Sequence, residues 1–229
     1  MPYRAEENDL SVAIKAGRRS DVPGTPLSTF LVIVAIAVIV PSCLFVKVPE
    51  QKTDVQNVAL SPQPEIEMSD ELVRTRAGDL IALMPKGWVF LDTKGDASAD
   101  IVAIAVDPDY TLSMVVSSIP AAESSREQVQ SEGLLGLARV AYQKHVRKSA
   151  GTAKLVGTYR IAELGPRRFG VYDFSTTGGA QRTRSAVCTS SLGNHYEVSL
   201  VPLNVSGKDV PDNAEQEKIF RSILATVQY

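Results

Sequence analysis

Hydrophobic and polar positions divide the chain into four regimes. Residues 1–28 are polar, show no period and contain Gly17, Pro23, Gly24 and Pro26, a composition that predicts a disordered arm. Residues 29–46, TFLVIVAIAVIVPSCLFV, hold no charge; eighteen residues of helix span about 27 Å, close to the ~30 Å hydrocarbon core of a bilayer. They predict one transmembrane helix, and lipid is the partner it implies. Residues 47–69 mix charges with Pro49, Pro62 and Pro64 and sustain no period, which reads as a linker. From residue 70 to 229 the pattern alternates between strand and helix periods, predicting one globular α+β domain.

Within that domain, 79–84 reads as a strand stopped by Pro85 and Gly87, and 88–91 as a short apolar piece. Residues 101–106 form a continuous apolar run, turned by Asp107-Pro108-Asp109 into a second strand at 111–119. The period then changes. Ser124 or Ser125 caps a predicted helix running to Lys148, with Leu134, Leu135, Ala138, Ala141, Tyr142 and Val146 along one face. Four strands follow at 154–164, 168–175, 182–190 and 195–203, punctuated by Gly165-Pro166, Gly178-Gly179 and Gly193-Asn194, the signature of an antiparallel meander. In the last, Tyr196, Val198 and Leu200 alternate with His195, Glu197 and Ser199, which predicts one buried and one wet face. Asp212 or Asn213 caps a final helix whose apolar stripe is Ile219, Phe220, Ile223, Leu224 and Val227. Two amphipathic helices and a largely antiparallel sheet make a sandwich.

Lys15, Arg18 and Arg19 precede the apolar span and Lys47 and Lys52 follow it. This bias sets a short arm inside and the C-terminal domain outside, in an extracytoplasmic (periplasmic) position. An alternative is a processed lipoprotein, with Cys43 after small Ser42 as the lipidated residue. The other cysteine, Cys188, lies deep in the domain, so no disulfide framework is expected.

The order of elements, with a Pro-x-Gly-Trp step at Pro85, Gly87 and Trp88 after the first strand, resembles the PsbP-like superfamily over residues 72–229. The resemblance implies a binding or assembly domain with an α/β/α sandwich and no shared catalytic residues. The apolar span departs from soluble members of that group.

Net charge is −2, but its distribution is uneven. Residues 48–136 carry 6 basic and 15 acidic side chains; residues 137–190 carry 10 basic and 2 acidic ones. Lys144, Arg147, Lys148, Arg160, Arg167, Arg168, Arg182 and Arg184 make a basic cluster which, if gathered on one side, would meet an acidic protein partner or anionic headgroups. No recognition motif points to nucleic acid.

Candidate chemistry reads as structural. His195 and Glu197 are too few ligands for a metal site, and His145 borders a buried helix face. A Cys188–His195 nucleophile lacks an orienting group and an oxyanion site. Asp107 with Asp109, and Asp92 with Asp96 and Asp100, do not follow a calcium-loop spacing, and turn chemistry accounts for them. Gly178-Gly179 reads as a hairpin turn. No catalytic residue, metal or cofactor is expected.

These features favour a membrane-anchored, non-catalytic interaction protein, an accessory or assembly subunit of a membrane or envelope complex. The alternative is an envelope protein binding a small ligand between sheet and helices near Trp88 and Tyr172.

Overall fold

The computed structural model describes residues 56–93, 98–120, 123–176, 181–203 and 205–229, all within a compact unit Thr53–Tyr229. The predicted arm, the predicted span with Cys43, Asp96 and Gly178-Gly179 lie outside the described residues. Among the described residues, no helix is long and apolar enough to cross a membrane.

Among the described residues, ten strands and three helices follow one another: β1 (Asn57–Ala59), β2 (Met68–Arg74), β3 (Ile81–Pro85), β4 (Val89–Leu91), β5 (Ile101–Val106), β6 (Leu112–Ile119), α1 (Glu123–Glu132), α2 (Leu134–Lys148), β7 (Lys154–Leu164), β8 (Arg167–Ser175), β9 (Arg182–Thr189), β10 (His195–Pro202) and α3 (Asn213–Thr226). Eight strands form one sheet in the order β1-β7-β8-β9-β10-β6-β5-β4, while β2 and β3 pair separately. The predicted meander is present as β7 to β10, and the predicted hairpin β5–β6 joins it through β10. Every pairing in the large sheet is antiparallel except β1 with β7.

Side-chain alternation assigns the two faces. One face, with Met114, Val171, Ala186, Val198 and Leu200, shares a core with Phe220, Ile223 and Leu224 of α3 and with Leu80, Ala82 and Met84 around β3. The opposite face, with Ile119, Tyr172, Phe174 and Val187, packs on Leu137, Ala138, Val140 and Ala141 of α2. Burying a Leu or Phe side chain contributes about 1.5–3 kcal/mol, so these two layers hold the sandwich together. Asp212 caps α3 by accepting from the Glu215 amide at 2.9 Å, a contact worth about 1 kcal/mol.

Three sequence expectations change. The stretch 47–69, read as linker, contains β1 and the start of β2. Here Ile161 N donates to Gln56 O at 3.2 Å and Leu60 N to Glu163 O at 2.8 Å. The strand expected at 79–84 is β3, whose partner β2 exposes Asp70, Glu71, Leu72 and Arg74 and so carries no apolar alternation. The single helix expected up to Lys148 breaks at Gly133, with φ 60° and ψ −132°, a backbone that L side chains avoid.

Helix α2 lies close to the sheet and to α1 because one glycine permits each approach. A Cβ on Gly170 of β8 would sit 2.4 Å from Leu134 O, and one on Gly136 would sit 2.2 Å from Gln128 O in α1. Both are far inside van der Waals contact.

Candidate functional site

The basic residues expected to form one patch are divided by the sheet. Lys144, Arg147 and Lys148 lie in the last turns of α2, on one face. Lys144 and Lys148 share Asp100, Lys148 at 3.3 Å. Arg147 is exposed and has no acidic partner among the described residues.

On the other face, Arg184 is 5 % exposed and pairs with Asp173 at 3.3 Å and with Glu217 of α3. Arg182 reaches Asp173 at 3.5 Å, and Arg160 lies beside the same carboxylate. Arg167 donates to Ala225 O at 2.8 Å and Val227 O at 2.6 Å, closing the C-terminal end of α3, where a cation suits the dipole. Arg168 pairs with Glu163 at 3.3 Å at the exposed end of the β7–β8 hairpin. Charge counting along the chain does not see these faces, because Asp173 and Glu217 reach the arginines from other elements.

Glu197 corrects the expected wet face of β10. It is 1 % exposed beneath α2, accepting from Tyr172 OH and bonded to His145 Nε2 at 2.8 Å. Burial alone would push its carboxyl up; the hydrogen bonds from His145 and Tyr172, with the charges of His145 and Lys144, hold it below the usual carboxylate range. Tyr172 is pushed well up by burial and by the Glu197 charge. Around Tyr172, Tyr142 packs edge-on, Tyr159 tilted and Phe174 stacked, with centroids 6.1, 5.9 and 6.0 Å away. The available sequence signal was a lone Glu between Tyr196 and Val198, with a His on a helix border.

Cys188 and His195 do not meet. Cys188 pairs in register with Tyr196, on the α3 face, whereas the His195 side chain lies on the α2 face and bonds Thr189 Oγ1 through Nδ1 at 3.0 Å. Burial pushes the Cys188 thiol up to about 12, the opposite of a reactive cysteine.

Of the acidic residues weighed for calcium, Asp109 pairs with Lys208, Asp100 with Lys144 and Lys148, and Asp107 is engaged by its own turn. Asp107 accepts from the amides of Thr111 and Leu112, both at 2.7 Å, and from Thr111 Oγ1 at 2.8 Å. Among the described residues, no group of three or more His, Cys, Asp or Glu is placed to hold a metal ion. Asp79, at the start of β3, is buried and accepts from Ser190 Oγ at 2.6 Å, Thr75 Oγ1 at 2.7 Å, and Asn194 Nδ2 and Tyr196 OH at 2.8 Å each. Burial opposes its charge, and these four donors outweigh burial and hold it well below the carboxylate range.

Trp88 and Tyr172 do not line a common pocket. Trp88 packs against the α3-side core and Tyr172 is buried under α2, so the sheet separates them.

What the α2 face leaves open is its β4 end. Phe90 and Ala105 pair on the α3 side, so Val89 and Leu91, with their partners Val106 and Ile104, turn to the other face. Val89 is 51 % and Leu91 45 % exposed. Ile104 and its neighbour Val115 are half-buried beside them. Strand β4 pairs with β5 alone and forms one edge of the sheet. Asp100, just before β5, brings the basic end of α2 alongside.

No protein-family model matches the chain. No curated protein matches it. Among solved structures, it is similar to the cyanobacterial PsbP (CyanoP) of Synechocystis sp. PCC 6803, at 16 % identity and TM-score 0.48, over 69 % of this chain and 92 % of that one. It is also similar to the Ran-binding protein Mog1p of Saccharomyces cerevisiae, at 15 % identity and TM-score 0.42, over 71 % and 96 %. A Bacteroides thetaiotaomicron structure matches at 14 % identity and TM-score 0.33, over 71 % of this chain and 48 % of that one. No residue role is carried over from these structures.

Proposed function

We propose that this chain is a membrane-anchored, non-catalytic interaction protein, an accessory or assembly subunit of a membrane or envelope complex. Its globular domain docks an acidic polypeptide partner on the β4 side of the α2 face. The observation that carries this reading is the pairing of an apolar edge with a cationic rim. Val89 and Leu91 stand half-exposed on an edge strand, and on the same face of the sheet the last turns of α2 carry Lys144, Arg147 and Lys148, the two lysines held on Asp100 just before β5, the partner of β4. An edge strand offers unpaired backbone groups to a second chain, and apolar side chains beside it supply affinity. Cations at a rim steer an acidic partner and set the encounter rate. Residues 29–46 hold the domain at the membrane, with the domain on the extracytoplasmic side.

The test is a photo-crosslinking residue at Leu91 in the full-length protein, activated in its native membrane. One stoichiometric polypeptide adduct is expected, strongly reduced when Arg147 and Lys148 are both changed to Glu. No adduct, or one of equal yield after charge reversal, overturns the docking surface. Carbonate extraction tests the anchor: retention in the membrane pellet supports it and release overturns it. An acyl mass on a chain beginning at Cys43 would replace the span by a lipid.

A further inference from the structure

The α3 face holds a second charged site, distinct from the docking surface and separated from it by the sheet. Arg160 of β7, Arg184 of β9 and Arg221 of α3 line a partly enclosed cavity of about 40 Å³ with Asp173 of β8 and Glu217 of α3, walled by Phe220. That volume is room for roughly three waters or one small oxyanion. Arg182 adds a fourth guanidinium at the rim through Asp173, at 3.5 Å. Four guanidinium charges therefore face two carboxylates.

The carboxylates do not exhaust the donors. Arg184 Nη1 is taken by Asp173 and Glu217, and Nη2 reaches Asn213 O at 3.3 Å, yet Nε is buried without an acceptor. Arg221 Nε is held by Glu217 at 2.8 Å. Arg160 forms no ion pair within 4.0 Å among the described residues. A buried N–H with no acceptor has lost its hydrogen bond to water without replacement, and an anion accepting from it restores one. Guanidinium groups converging from three elements suit the several oxygens of a phosphate or sulfate.

We propose that this cavity binds a small tetrahedral oxyanion, with Arg184 Nε and Arg160 as its donors. The group is either a free ion or the phosphate of a modified residue, since both present the same oxygens.

The experiment follows the arginine Nε–H resonances of the full-length protein in detergent as inorganic phosphate is added, against chloride at matched ionic strength. The Arg184 Nε–H resonance is expected to shift and saturate with phosphate, with a Kd on the order of 1 mM or tighter, and to ignore chloride. Arg160→Gln weakens binding about tenfold, the loss of one charge-assisted bond. Glu217→Gln removes an opposing charge and tightens it, while Arg147→Gln, on the other face, changes nothing. Phosphoserine binding at least as well as phosphate assigns a modified residue as the source, and binding of inorganic phosphate alone assigns the free ion. No saturating shift up to about 20 mM, or the same affinity in the Arg160 and Glu217 variants as in the parent, overturns the proposal.

Discussion

Asp79 links three segments through one carboxylate: the turn before β3, the β9–β10 turn and the Tyr196 ring. Asp79→Asn places an NH₂ where donors already point, and is expected to lower stability by about 1–3 kcal/mol in urea unfolding. Asp79, Asp100 and Glu197 are all held below their ordinary range. Their contribution to stability is therefore complete above the unfolded carboxylate range, whose ordinary values are 3.8 for Asp and 4.5 for Glu, and is lost as pH falls through the lower folded values. The expected outcome is a melting temperature that is flat near neutrality and drops below about pH 4. Glu197→Gln should start lower at pH 7 and fall less steeply in acid, because one linked proton is gone. Alternation in the sequence placed Glu197 among wet positions, since a strand pattern reports which side a residue faces and not whether a helix covers that side. His145 supplies a hydrogen-bond partner from 52 residues away, a distance at which no local period carries information.

At the level of elements, the joint between α1 and α2 depends on missing side chains. Gly136→Ala and Gly170→Ala each drive a Cβ into a backbone carbonyl of a neighbouring segment, at an expected cost of about 1–3 kcal/mol. Both displace the first turn of α2, so the double variant should lose less than the two single losses combined, a result that equilibrium unfolding of all three proteins decides. The meander was legible because strand-length runs and Gly-containing turns agree there, the β5–β6 hairpin because Asp107-Pro108-Asp109 turns a continuous apolar run, and the last helix because a capping Asp precedes an apolar stripe. Strands β1 and β2 were not, for a shared reason: each lies at a sheet edge and buries few side chains, Val73 alone in β2. Gly133 was hidden because one glycine within a helical period costs only about 1 kcal/mol, and so does not by itself mark an end.

Across the whole domain, the charge asymmetry of the sequence becomes two charged clusters on opposite faces. Neither could be read from counts, because β8 and β9 present Asp173 and Arg184 to one side and Tyr172 and Ser185 to the other. On the α3 side, the end of the chain ties β3 to β8. Gln228 bridges to Ile81 through bonds of 2.9 and 2.8 Å. Tyr229 OH donates to Arg168 O at 2.6 Å and accepts from Arg168 N at 2.9 Å, with its ring against Phe169. Removing Gln228 and Tyr229 is expected to cost about 2–4 kcal/mol, read as a lowered urea midpoint.

That closure has a consequence for synthesis. Strand β1 waits about a hundred residues for its parallel partner β7, and β3 has no backbone partner in Gln228 until residue 228 has been made. A ribosome adding about 5–20 residues per second exposes the first hairpin for several seconds before the segment that secures it emerges. During that interval Leu72, Val89 and Leu91 are bare strand edges on a nascent chain, so the surface read here as a docking site is also where the growing polypeptide most needs a chaperone.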